Sequence, residues 1–255
     1  MILSKLDFRS IMALRKSCHS LRSLIDVIKP DMRFTVIKLE ICSQNVKLKM
    51  LSTRGNFWIH IKYKNVEKGC TVLLYYNGNL YETLLENEHF MSVFCVDFGT
   101  ILYFQKSIIE KFKVRLDHHP NYSNEWDSEL NIISDPFLVW FSSLLKSRSQ
   151  QLKVKKIEFE IRAPAEIMSI LPFIDSKSIE TIWITSDKET WNGFKKDKLD
   201  ITEIVGLDHW KNAKEVDIDH FLLPVSSHHF EHFVKANFFL NNSNQIIVSL
   251  VITLR

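Results

Sequence analysis

Val154-Lys-Lys-Ile-Glu-Phe-Glu-Ile161 alternates apolar with charged residues, the period of a strand that has one dry and one wet face. It follows Asp135 to about Lys146, which reads as a helix with Pro136 just inside its start, where proline is tolerated. The same grammar recurs on both sides. A helix near Phe90–Gln105 leads to Glu110-Lys-Phe-Lys-Val-Arg-Leu116. A shorter one, Ala163–Leu171, leads to Ser178-Ile-Glu-Thr-Ile-Trp-Ile184, and about Ile204–Lys211 leads to Ala213-Lys-Glu-Val-Asp-Ile218. From Ile157 to Ile179 is 22 positions, and from Ile179 to Val216 is 37. A strand–helix unit recurring at irregular spacing predicts an irregular, leucine-rich-repeat-like α/β solenoid, each unit burying its apolar face on the next. An ordinary mixed α/β sandwich is the other architecture that the pattern allows.

Upstream the pattern is strands alone. Phe34-Thr-Val-Ile-Lys-Leu-Glu-Ile41, Val46–Met50, Phe57–Tyr63 and Thr71–Tyr76 are separated by turn signals at Ser43–Asn45, Arg54–Asn56, Lys68–Gly69 and Asn77–Asn79. Such short connections predict an antiparallel sheet over about 34–85.

Before it, Ile11, Leu14, Cys18, Leu21, Ile25 and Ile28 recur at helical spacing, with Asp7 placed as an N-cap and Pro30 as the stop. The outer face of that stretch carries Arg9, Arg15, Lys16 and Arg22. The chain thus divides into 1–30, helical; 31–87, an antiparallel β region; and 88–255, an α/β domain.

Composition narrows the function classes. The 33 basic and 30 acidic residues leave +3, and residues 1–33, with seven basic against three acidic side chains, account for that excess. Outside this segment only Lys146, Arg148, Lys153, Lys155 and Lys156 cluster, short of the basic domain that a nucleic-acid partner calls for. Six glycines are few for phosphate-cradling loops or a nucleophile elbow. Cys18, Cys42, Cys70 and Cys95 are widely separated and read as buried free thiols. The longest apolar run, Ile246–Leu254, is too short to span a bilayer and is strand-like from Gln245. No export signal is read at the N-terminus, so the expected location is cytoplasmic or nuclear, with no membrane partner.

Candidate chemistry is sparse. In His228-His-Phe-Glu-His232, the first and last histidines would share a helix face at i, i+4, a spacing that can hold a metal. The general-base glutamate of HExxH is misplaced and no third ligand is signalled, so structural histidines are the expectation, with no metal and no cofactor. His118-His119-Pro120 reads as a turn. No nucleophile–base arrangement is signposted, and the chain is read as a non-enzyme. The tryptophans read mostly as core, except Trp126 and Trp191, which sit in polar loops and are candidate partner contacts.

With these segments in place, Ile2-Leu-Ser-Lys-Leu-Asp-Phe-Arg-Ser-Ile-Met-Ala-Leu-Arg-Lys-Ser-Cys-His-Ser-Leu-Arg-Ser-Leu-Ile-Asp26 resembles the second half of an F-box. Leu144-Leu-Lys-Ser-Arg148 with Leu152–Ile161 resembles the FTH domain that follows the F-box in the nematode F-box A family. So do Ile170-Leu-Pro-Phe-Ile-Asp175, Leu207–Ile218 and His229-Phe-Glu-His-Phe233. The resemblance implies a receptor subunit of a Skp–cullin–F-box ubiquitin ligase. Its F-box-like helices would dock a Skp-type adaptor, and through it a cullin, while the C-terminal domain captures an unknown protein substrate. Leu6, Ile11, Leu14 and Leu21 fall at the family's adaptor-facing positions. Two departures accompany the resemblance: the family's opening Leu-Pro segment is missing, so the F-box reads as partial, and the strand-like C-terminus stands where an acidic helix is usual. A protein-binding solenoid uncoupled from the ligase is the alternative these departures imply.

Overall fold

The computed structural model describes residues 6–53, 57–116, 127–186, 197–219, 221–223, 227–242 and 245–253. It is mixed α/β, with a large sheet and several helices. Contacts divide the chain into two units, Met1–Ile37 with Asn45–Ile109 and Lys38–Gln44 with Glu110–Arg255.

In the first unit, helices α1 (Phe8–Ser17) and α2 (His19–Ile28) precede β1 (Phe34–Cys42), whose first residues belong here. Strands β2 (Asn45–Ser52), β3 (Phe57–Val66), β4 (Gly69–Tyr76) and β5 (Asn79–Glu86) follow in spatial order, and helix α3 (Phe90–Phe104) closes the unit. The β2–β3, β3–β4 and β4–β5 pairs are antiparallel, as short turns require. Alternation decides which face is dry. Val46, Leu48, Met50, Ile59, Ile61 and Tyr63 point inward and are buried, against Phe90, Phe94, Phe98 and Ile101 of α3 in the same core. Phe94 and Phe98 stack at 5.2 Å, and Tyr63 donates its hydroxyl to Asp97 at 3.0 Å. Gln105, fully buried at the end of α3, exchanges two 3.0 Å hydrogen bonds with the backbone of Phe34. These bonds satisfy both backbone groups at the first residue of β1.

Strand β5 falls within the 34–85 span read as sheet, but the sequence reading names no strand there, nor over Lys235–Asn242. The residues of β5 are exposed on both faces, so no core alternation marks it, and it forms the open edge of the sheet.

The second unit holds β6 (Ile109–Leu116), α4 (Asp127–Ser147), β7 (Val154–Glu160), α5 (Pro164–Met168), β8 (Thr181–Thr185), β9 (Asp197–Lys198), α6 (Thr202–Val205), α7 (Asp208–Asn212), β10 (Glu215–Asp219), β11 (Phe221–Leu222), β12 (Lys235–Asn242) and β13 (Gln245–Thr253). The main strands lie in the order β6-β7-β8-β10-β12-β13, with β9 and β11 paired separately. The pairs β7–β8, β8–β10 and β10–β12 are parallel, while β13 returns antiparallel to β12.

The recurring units therefore exist, but they build part of a large mixed sheet and not a solenoid. The connecting helices α5, α6 and α7 have only five, four and five residues. The parallel run β7-β8-β10-β12 spans four strands and ends where β13 returns antiparallel to β12, which a continuing repeat array would not do. The helix expected over Ala163–Leu171 likewise ends at Met168 and resumes as a 3-10 turn at Leu171–Phe173, where Pro172 lacks a donor to continue it. Helix α4 starts at Asp127, earlier than read, so Pro136 lies inside it and removes one backbone hydrogen bond.

The core of this unit centres on Trp210, 1% exposed, with Phe233 at 5.0 Å and Phe230 at 5.5 Å edge-on. Its indole N–H donates to the carbonyl of His229 at 3.0 Å. A fully buried aromatic of this size contributes roughly 3 kcal/mol or more.

Candidate functional site

Two surfaces are candidates, and only the first holds residues that the sequence singled out as a site, Leu6, Ile11, Leu14 and Leu21. The first is the N-terminal helical pair. Read as one helix, it is in fact two: Cys18 adopts φ −158° and ψ 161°, an extended backbone that ends α1 and starts α2. The Cys18 thiol accepts from the Leu21 N–H at 3.5 Å, so a residue expected to be a buried thiol is an exposed N-cap. Asp7 caps α1 as expected, accepting from the Ser10 N–H at 2.7 Å and from the Tyr76 hydroxyl at 2.7 Å. Burial works against its charge. The bonds from Ser10 and Tyr76 and the positive charge of Arg9 outweigh that cost and hold the carboxyl below its ordinary value. Conversely, burial, then the Asp7 carboxylate, push the Tyr76 hydroxyl up to about 12. Arg15 clamps the two helices with a forked contact to Asp26, at 2.9 and 3.3 Å. Before Pro30, Lys29 takes a left-handed conformation, φ 49°, rather than the α conformation that the proline ring disfavours.

The break at Cys18 resets the helical phase, so the expected stripe does not stay on one face. Ile11 turns inward and is 1% exposed, as is Ile25 at 0%. Leu6, Leu14 and Leu21 are half-buried. The outward apolar side chains are Leu24 and Val27, 48% and 80% exposed, which lie off the 3-4 series when it is counted through Cys18.

The second surface is the wet face of the parallel strands. The register lines up Glu158, Trp183, Asp217 and Asn237 across β7, β8, β10 and β12. Next to this row lies another: Lys156, Thr181, Glu215 and Lys235. All of these residues but Glu158 line a polar depression of about 270 Å³. Glu158 and Glu160 are 3% and 6% exposed, yet each is ion-paired: Glu158 to Lys111 at 2.7 Å and Lys156 at 2.9 Å, Glu160 to Lys113 at 2.8 Å and Arg115 at 3.3 Å. Buried carboxylates need such partners. The ammonium groups of Lys156 and Lys111 also sit 5.0 and 6.0 Å from the ring of Trp183. Asp217 accepts from Asn237 at 3.1 Å. Burial, with the charge of Asp219 beside it, raises its carboxyl above the ordinary value. Trp183, read as core from sequence, is thus the centre of a charged surface. The alternation Ser178-Ile-Glu-Thr-Ile-Trp-Ile184 carries the signal, since Trp183 falls on the polar phase of its strand.

The histidine spacing resolves into packing. Ser227–Phe230 is a 3-10 turn, so His228 and His232 do not share an α-helical face. His232 bonds the carbonyl of Trp210 at 2.9 Å through Nε2, and its ring lies 4.0 Å from Phe233. Among the described residues no three metal-ligating side chains converge. Trp126, Trp191 and His118-His119-Pro120 lie outside the described residues. No helix among the described residues is long and apolar enough to cross a membrane.

The family model described as FTH domain matches residues 135–255, so an FTH domain is found over β7 to β13 and their connecting helices. No curated protein and no solved structure matches the chain.

Proposed function

We propose that the chain is a substrate-recognition subunit of a Skp–cullin–F-box ubiquitin ligase and is not itself an enzyme. The FTH domain at 135–255 carries this reading, because that family is associated with F-box proteins. The N-terminal helical pair supports it. Leu24 and Val27, with the half-buried Leu6, Leu14 and Leu21, offer an apolar surface for a Skp-type adaptor that would link the chain to a cullin. Ile11 serves the same docking from inside, by seating α1. The wet face around Trp183 and Asp217 is assigned to the captured protein, since aromatic anchors ringed by charge are the usual centres of interfaces. Catalysis follows from proximity: a substrate held near a charged ubiquitin carrier needs no chemistry from its receptor. The cytoplasm or nucleus, where such ligases work, is the location this function requires.

Co-purification with a recombinant Skp-type adaptor tests the reading. The full chain is expected to retain the adaptor, and Leu14→Asp with Val27→Asp to lose it while keeping its circular dichroism spectrum. Retention by the double variant removes the docking face. A second reading is a protein-binding module uncoupled from the ligase. The burial of Ile11 and Ile25 in the chain's own core favours it, because part of the apolar stripe is already used. It predicts that the unaltered chain ignores the adaptor.

A further inference from the structure

Helix α1 faces the first unit's sheet across a hollow. Between it, α3 and the dry face of β3–β5 is a cleft of about 280 Å³. This exceeds the about 150 Å³ of an apolar cavity that takes up benzene and approaches the about 300 Å³ at which small-molecule pockets begin. The floor is aliphatic, made by Ile59, Ile61, Val72 and Leu74, and Met12 and Ala13 of α1 form one wall. Two cations line the same cleft, Arg9 and Lys16. Arg9 is held in place: its guanidinium donates to the Tyr81 hydroxyl at 3.1 Å and lies 4.3 Å from the centre of that ring.

The charges of the cleft are not balanced in contact with one another. The lining acid Asp97 accepts the Tyr63 hydroxyl, and nearby Asp7 accepts from Ser10 and Tyr76. Among the described residues neither Arg9 nor Lys16 has a carboxylate within ion-pair distance, although Arg9 acts on Asp7 through space. An apolar floor with one positioned cation, a second at its rim, and acids already engaged by hydrogen bonds is complementary to an amphipathic anion.

We infer that this cleft binds an aliphatic carboxylate, its chain on Ile59, Ile61, Val72 and Leu74 and its head group at Arg9 and Lys16. Scaled from the benzene case, the volume takes a chain of roughly ten carbons. The site lies in the first unit and is independent of the ligase reading.

Calorimetric titration with decanoate, below its self-association concentration, tests the site on the full chain. Decanoate is expected to saturate at one per chain with a negative heat-capacity change, and decyltrimethylammonium to give no saturable heat. Arg9→Gln with Lys16→Gln should weaken decanoate at least tenfold, and Ala13→Phe, which fills the cleft from α1, should abolish binding. If Ala13→Phe loses its circular dichroism spectrum, Thr83→Trp fills the opposite wall and is read instead. Absence of saturable decanoate binding overturns the proposal. So does equal binding of the cationic amphiphile, or unchanged binding by the filled variant.

Discussion

The two units wet their outward sheet faces in different ways. Along β2 and β3 of the first unit, Lys49 and Lys64 are exposed, and half-buried Lys47 stands directly across from half-buried Lys62. Along β6 and β7 of the second, Glu158 and Glu160 are almost fully covered, and lysines or an arginine meet each of them. The exposed lysines of the first face, Lys49 and Lys64, are hydrated one by one. The second is a pre-formed network that has already left water, so each member depends on the others. A surface of the second kind resists screening by salt and holds its geometry, which suits recognition of a specific partner.

The cores should break alike and the faces should not. Trp210→Ala in the second unit and Phe98→Ala in the first are each expected to cost about 3–5 kcal/mol, read from urea midpoints. A loss under 1 kcal/mol at either would show that its core is loosely packed. On the faces, Glu158→Gln should cost about 1–3 kcal/mol by unbalancing two lysines, against less than about 0.5 kcal/mol for Lys49→Gln. Equal losses would erase the distinction between the faces.

Acid titration sharpens the comparison, because one carboxylate in each unit is shifted in opposite directions. The Asp7 carboxyl is lowered on folding. Its contribution is therefore present above the ordinary value of 3.8 and is lost as pH falls through the lower, folded value. The Asp217 carboxyl is raised, so folding favours its protonated form, and stability falls as pH rises from 3.8 through the folded value. Asp7→Ala should accordingly cost about 1 kcal/mol at neutral pH, as for a lost cap. Asp217→Asn should leave stability unchanged or raise it there, and a clear loss would mean that its charge is needed. The smallest effect is chemical. Burial pushes the Cys95 thiol up to about 12, so mass spectrometry should find alkylation at exposed Cys18 well before Cys95.

Much of this was legible because alternation reports burial directly. Phe57–Tyr63 separates a dry row from a wet one as read, whereas in Val154–Ile161 the charged row is covered too, Glu158 and Glu160 being buried against their ion-pair partners. Failures came where local pattern and tertiary demand part company. Counting through Cys18 assumed that a helical period continues, yet an extended residue restarts the helix without changing composition. Edge strand β5 has no buried row to betray it, and short helices such as α6 and α7 merge when apolar residues bridge the gap between them. The wet face of the second unit shows a further limit. Glu158, Trp183, Asp217 and Asn237 come from four strands, and only the register makes them neighbours.

The open edge at β5 has a consequence for the protein in concentrated solution. A strand with one unpaired row of backbone groups can recruit a like strand from another molecule, and Leu80 and Leu84, 52% and 45% exposed, would reward the pairing. Glu82 and Glu86 sit between and beyond those leucines and point to the same face. Two molecules meeting edge to edge would bring these carboxylates together, so the strand carries its own repulsion against polymerisation.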